Sequence, residues 1–173
     1  VMHVVKETQA SAIKMEGSME LVPLIERLTT LGIDVMGHIG LQPQRFGDAS
    51  GFRVQGATAH SALNILRTAQ ALEAAGCFSI VLECIPSKLG EAISQRLDIP
   101  TIGIGAGPHT HGQVLVCTDI MGDLTSPSHV SAVLAGLEKG ASAPAHMPET
   151  PWPPMPKFVR TFAASHVGSQ RIV

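Results

Sequence analysis

Aromatic residues make up only 3% of this 173-residue chain, so a core has to be built from Leu, Ile, Val, Met and Ala. No apolar run approaches the ~18 residues that a membrane-spanning helix needs. Basic residues are not in excess: 12 Lys and Arg face 14 Asp and Glu, for a net charge of -2. Without a basic stripe or aromatic residues interleaved with one, a nucleic-acid partner is not expected, and neither is a membrane. The three cysteines, Cys77, Cys84 and Cys117, are odd in number and lack CxxC spacing. That pattern predicts free thiols in a reducing compartment, cytoplasmic or mitochondrial matrix, rather than a secreted disulfide scaffold. The chain opens Val1-Met2-His3-Val4-Val5-Lys6, with neither an initiator methionine nor a targeting pattern. It reads as starting inside an element, and a fragment is expected.

What is present is an alternation of strand and helix. At 45% hydrophobic, the chain has enough apolar residues for one core. Residues 1–9 read as the end of a helix, and Ala12–Gly17 as a strand running into a turn. Leu21, Leu24, Ile25, Leu28 and Leu31 share one helical face, with Gly32 as the stop. Ile33–Ile39 is the next strand. Residues 40–57 carry Gly, Pro, Gln, Asp and Ser and form a long loop of the kind often used for function. A helix returns over 59–75, with Ile65, Ala69 and Leu72 on one face and Gly76 after it. Ser79-Ile80-Val81-Leu82-Glu83 is a short apolar run bounded by breakers, the pattern of a buried strand. Ser87 is the expected N-cap of a helix carrying Leu89, Ile93 and Leu97. Strands at Thr101–Gly105 and Gln113–Cys117 follow.

Strand–helix repeats predict parallel crossovers and an α/β fold. Five strands, near 14, 36, 81, 103 and 115, allow an open doubly wound sheet, a small complete sheet or the back part of a (β/α)8 barrel. A complete barrel needs about 250 residues, so this chain falls short by roughly a third. The expected layout is a strand–helix part over 1–123, a Pro-rich insertion or linker over 124–155 and a terminal amphipathic segment over 156–173. Residues 140–156 hold Pro144, Pro148, Pro151, Pro153, Pro154 and Pro156, half of the 12 prolines. Such a stretch forms neither a helix nor a central strand.

Polar groups stand at three strand ends: Lys14 and Glu16, His38, and Glu83. In barrels, strand C-termini are where chemistry is done. Lys14 and Glu16 are two apart and face the same way. Lys14 needs an anionic partner, either Glu16 or a substrate carboxylate, and Glu16 is also suited to a hard cation such as Mg²⁺. A lone histidine at a strand end is more often hydrogen-bonded structure than a ligand. His109 and His111 alternate on a Gly/Pro loop, a weak metal pattern. Gly103-Ile104-Gly105-Ala106-Gly107 follows a strand as a dinucleotide fingerprint would, but the spacing is GxGxG and Pro108 follows at once. Glycines for close backbone approach at a rim are the better account.

Several blocks resemble the ketopantoate hydroxymethyltransferase (3-methyl-2-oxobutanoate hydroxymethyltransferase) family: Lys14-Met15-Glu16-Gly17, Val35–Gln44, Gly51–Gly56, Ala71–Gly76, Val81–Pro86, Ile99–Gly107 and Pro156-Lys157-Phe158. They occur in family order and cover most of residues 12–122. The resemblance implies a (β/α)8 TIM barrel of the phosphoenolpyruvate/pyruvate superfamily, dependent on Mg²⁺ and assembled as a homo-oligomer. The implied reaction moves a hydroxymethyl group from 5,10-methylenetetrahydrofolate to 3-methyl-2-oxobutanoate, giving 2-dehydropantoate on the way to pantothenate. By the same resemblance Glu83 matches the proton acceptor, Glu16 a metal carboxylate, Lys14 a contact to the keto acid, and His38 an active-site histidine near the substrate.

There are departures. The family's first three strands, with two metal-binding aspartates and a substrate-contacting serine, have no counterpart in this sequence. Glu16 alone cannot build the metal site, and this chain by itself is expected to be inactive. Ser18 stands where a glycine is usual, His111 where Asp precedes Gly-Gln, and Thr118 where His precedes Asp. Two other readings compete: a lyase or mutase of the same superfamily acting on another 2-oxo acid, and a non-catalytic remnant that only binds partner subunits.

Overall fold

The computed structural model describes residues 1–43 and 53–116. Val1–Val114 forms one compact unit and Leu115–Val173 a second, and every described element belongs to the first. In chain order these are α1 (Met2–Thr8), β1 (Ala12–Glu16), a 3-10 turn (Met19–Leu21), α2 (Val22–Thr30), β2 (Asp34–Gly40), α3 (Ala59–Ala74), β3 (Ser79–Glu83), α4 (Ser87–Ser94), β4 (Thr101–Ile104) and β5 (Gly112–Gln113). The strands make one sheet in the order β1-β2-β3-β4-β5, and each neighbouring pair is parallel. Sequential strands lie side by side; α2, α3 and α4 carry the first three crossovers, and a loop without a helix joins β4 to β5.

Helical periodicity sets the core. Ile25 and Leu28 of α2, Ala69 and Leu72 of α3, and Leu89 and Ile93 of α4 are buried against Val35, Ile39, Ile80 and Leu82 of the central strands. Each of these Leu, Ile and Val side chains contributes about 1.5–3 kcal/mol by leaving water. Packing is close where α3 crosses β2, because Gly37 has no side chain: a Cβ there would sit 3.1 Å from Leu72 Cδ1. Thr58 opens α3 with a capping box, its Oγ1 accepting from the Ser61 amide at 3.2 Å while Ser61 Oγ accepts from the Thr58 amide at 3.1 Å. Glu73, near the end of α3, accepts from the amides of Asp98 and Ile99 at 2.6 and 3.1 Å and so ties down the turn into β4.

At the start of β4, Thr101 is fully buried and its hydroxyl bonds Ser94 Oγ at 2.6 Å and His111 Nδ1 at 3.0 Å. His111 Nδ1 also accepts from the Thr101 amide at 3.1 Å. A carboxylate would accept the same two bonds, so histidine in place of the expected aspartate keeps the acceptor.

Two expectations are corrected. Ser87 is not the N-cap of α4: Pro86 holds that position in extended backbone, Ser87 is the first helical residue, and no side chain caps the end. The last strand is only Gly112–Gln113 rather than Gln113–Cys117. Its partner β4 turns away at Gly105, whose φ is +65°, so the ladder closes with Val114 N–H donating to Gly103 O at 3.0 Å. Cys117, the helix expected after Ser126, the 124–155 insertion and the 156–173 segment lie outside the described residues. None of the described helices is long and apolar enough to cross a membrane.

Candidate active site

The register of three strands places the polar residues. Glu16 pairs directly with His38, and Glu83 pairs with Gly40, two residues beyond His38. Side chains alternate along a strand, so Lys14, Glu16, His38 and Glu83 all project from one face. Ile13, Met15, Val35, Ile39, Ile80 and Leu82 project into the helix-covered core on the other. The face shared by Lys14 and Glu16 follows the alternation expected from the sequence.

On that face His38 stands between two carboxylates. Its Nδ1 lies 3.6 Å from Glu16 Oε1 and its Nε2 3.0 Å from Glu83 Oε2. Lys14 Nζ stands 4.0 Å from the same Glu16 oxygen. The side chains differ sharply in exposure: 46% for Lys14, 19% for Glu83, 10% for Glu16 and 2% for His38. Neither ring nitrogen of His38 has a hydrogen-bond partner of good geometry, so the 3.0 Å approach is close in distance without being aligned. The result is a row of alternating charge type, ammonium, carboxylate, imidazole and carboxylate, with its two ends open to solvent. An ammonium beside a mouth stabilises negative charge developing on a bound molecule. A partly exposed carboxylate at the other end can take a proton.

Backbone contacts hold the strand ends. Gly17 N–H donates to His38 O at 3.1 Å, and Gln42 Nε2 donates to Gly17 O at 2.8 Å. Leu41 N–H donates to Glu83 O at 2.9 Å. That bond needs the chain to fold over the end of β3, which Gly40 permits with a φ of +96°, and a Cβ on Gly40 would collide with the Glu83 carbonyl. Cys84 then adopts left-handed backbone with φ 51°, unusual for a non-glycine residue, and is held by donation to Ile104 O and acceptance from Gln55 N–H, both at 2.8 Å. Burial first and the Glu83 charge second push the Cys84 thiol above its usual range. Gln42, Gly40 and Gln55 escaped notice as supporting residues in the sequence. Their only signal was membership of the Gly40-Leu41-Gln42-Pro43 and Gly51–Gly56 blocks.

The weaker candidates separate from this group. His111 is engaged by Thr101, and His109 is exposed on the same loop. After Gly105 the chain runs through bends and turns to His111 with no helix, so a dinucleotide-binding turn is absent from this loop. A Cβ on Gly107 would collide with Ser87, which is the close approach the glycines were expected to serve. Cys77 and Cys84 are both free thiols and buried. Among the described residues no group of three or more His, Cys, Asp or Glu could hold a metal ion. Glu16 is therefore one carboxylate without the remainder of a metal site, and the described residues do not fit Mg²⁺ on their own.

The family model for ketopantoate hydroxymethyltransferase matches residues 1–146. Relatives named 3-methyl-2-oxobutanoate hydroxymethyltransferase include one from Anaeromyxobacter dehalogenans, 53% identical over 121 residues, covering 70% of this chain and 40% of the relative. Another, from Heliobacterium modesticaldum, is 51% identical over 117 residues, covering 68% and 42%. A third, from Francisella tularensis subsp. novicida, is 51% identical over 116 residues, covering 67% and 44%. This chain thus spans 40 to 44% of the length of these relatives. All three are bacterial, which lends no support to a mitochondrial location.

Proposed function

The chain belongs to the ketopantoate hydroxymethyltransferase family, and from that premise we propose that Lys14, Glu16, His38 and Glu83 form part of the active face of a (β/α)8 barrel that hydroxymethylates 3-methyl-2-oxobutanoate. The supporting observation is the convergence of these four side chains on one face, at the C-terminal ends of β1, β2 and β3. The donor is 5,10-methylenetetrahydrofolate and the product 2-dehydropantoate. The barrel's remaining strands and its homo-oligomeric assembly belong to the same proposal.

The chemistry begins at C3 of the keto acid. Glu83 takes the C3 proton, and the electron pair of the C–H bond delocalises into the carbonyl as an enolate. Lys14 supplies positive charge near the carboxylate end of the substrate and stabilises the enolate oxygen. The C3 carbon then bonds the methylene carbon of the folate, both of whose C–N bonds are broken in the overall reaction. Water supplies the hydroxyl and tetrahydrofolate leaves. Glu16 is the carboxylate that this chain would contribute to Mg²⁺. Because the described residues do not complete that site, no step is assigned to the metal.

Proton exchange tests the reading directly. In a full-length enzyme carrying these residues, Glu83→Gln is expected to slow solvent-deuterium exchange at C3 of 3-methyl-2-oxobutanoate by about 10²–10⁴-fold. Exchange at the parent rate would sink the assignment of the base.

A further inference from the structure

We propose that His38 is a positioning residue for Glu83 rather than a contact to the substrate. The proposal rests on Glu83 being the base, and it assigns His38 a different role from the one its family resemblance suggests.

Accessibility is the first reason. A small molecule arriving at this face meets Lys14 and Glu83, whose side chains are 46% and 19% exposed. His38 is 2% exposed and lies beneath them. The second reason is that both ring nitrogens already face protein. Nδ1 faces Glu16 at 3.6 Å and Nε2 faces Glu83 at 3.0 Å, which leaves no ring nitrogen directed at a ligand. The third is the fixed backbone: His38 is locked in the β1–β2 ladder, and its carbonyl accepts from Gly17 N–H at 3.1 Å.

The order carboxylate, imidazole, carboxylate has a defined use. A ring with its proton on Nε2 donates toward Oε2 of Glu83, while Glu16 stands 3.6 Å from Nδ1 on the other side. With Oε2 engaged, the second carboxylate oxygen is the one left to take a proton from a substrate above it. A reacting group oriented by a neighbouring side chain is a recurrent arrangement in catalysis. The contacts are long or poorly aligned here, as such contacts often are before substrate closes the site.

Two substitutions separate the roles. The amide nitrogen of Gln reaches the place of ring Nε2, and that of Asn the place of Nδ1. In the full-length enzyme, C3 exchange is read as kcat and KM for His38→Gln, His38→Asn, Glu83→Gln and the double variant His38→Asn/Glu83→Gln. Thermal melting of each variant reports folding. His38→Asn is expected to lose about 10²-fold in kcat, the lower end of what a positioned acid–base group supplies. His38→Gln should stay within about tenfold of the parent because it still donates toward Oε2. KM should move by less than about threefold in both, since substrate binding is untouched. Added to Glu83→Gln, His38→Asn should cause no further loss, as expected of two residues acting as one unit.

A raised KM with unchanged kcat in His38→Asn would make His38 a substrate contact and overturn the proposal. Equal losses in the Gln and Asn variants, together with a lowered melting temperature, would reduce His38 to a packing residue. Full exchange by Glu83→Gln would instead remove the base assignment, and the positioning role with it. Failure of the positioning role alone leaves Glu83→Gln slow in exchange.

Discussion

Gly40→Ala is the substitution through which the fold and the proposed base can be tested together, and Gly32→Ala is its control. Both glycines have left-handed backbone, with φ of +96° and +80°. An alanine in that conformation costs about 1–2 kcal/mol at either position. The surroundings differ. A Cβ on Gly32 meets nothing within 4 Å, whereas on Gly40 it would collide with the Glu83 carbonyl oxygen and lie 3.0 Å from Ile85 Cγ2. The carbonyl must move, which breaks its bond from Leu41 N–H at 2.9 Å. Losing that bond adds about 0.5–1.5 kcal/mol. The forced backbone shift adds about 1–3 kcal/mol more. Gly32→Ala is thus expected to destabilise by about 1–2 kcal/mol and Gly40→Ala by about 3–6 kcal/mol. In urea, with a slope of roughly 2 kcal/mol per molar, the midpoints should fall by about 1 M or less and about 1.5 M or more. Displacing the backbone of Glu83 should also slow C3 exchange by about 10²-fold in the Gly40 variant, the penalty of misplacing a catalytic group by about 1 Å. Both readouts belong on the full-length enzyme. Equal urea midpoints for the two variants would refute the collision, and parent-rate exchange by Gly40→Ala would refute the coupling of this turn to Glu83.

Two more expectations follow from the described residues. Burial pushes the Cys77 thiol from 9.0 up to about 11, with the Gly37 backbone partly opposing it. The folded chain therefore keeps this proton at a pH where the unfolded chain has lost it. Stability should be level below pH 9 and fall between pH 9 and 11 by up to about 2 kcal/mol, read from denaturation midpoints; thiolate absorbance appearing near pH 9 in native protein carrying Cys84→Ser and Cys117→Ser would contradict this. The purified 173-residue chain should show no turnover with Mg²⁺, because no group of three or more His, Cys, Asp or Glu among its described residues could hold the metal and β1 leaves an edge of the sheet unpaired among them. Magnesium-dependent product formation by that chain would disprove the expectation.

Much of this arrangement was legible one element at a time. Leu24, Ile25 and Leu28 announce a helix, and Gly32 ends it, because periodicity and a left-handed stop are local properties of the chain. The run Ser79–Leu82 announces a strand buried on both faces, and its four residues are buried. The family's sequence blocks, in family order along that succession, identify the family. Smaller local readings failed where a neighbour intervened. Ser87 has a capping side chain, but the extended backbone of Pro86 takes the capping position. The strand expected to run to Cys117 stops when its partner β4 runs out at Gly105.

The sequence by itself determined the strand–helix alternation, the polar residues at the strand ends and the family. Those follow from side-chain period, turn chemistry and ordered blocks along one chain. Only the tertiary structure decided that His38 lies buried between Glu16 and Glu83, and that Gly40 must be glycine for Glu83 to stand where it does. These facts depend on which residue of β2 pairs with which residue of β1 and β3. Register is a relation between strands separated by 17 and 38 residues in the chain, and no local pattern fixes it. A shift of one residue would send His38 to the opposite face and leave the two carboxylates without the ring between them.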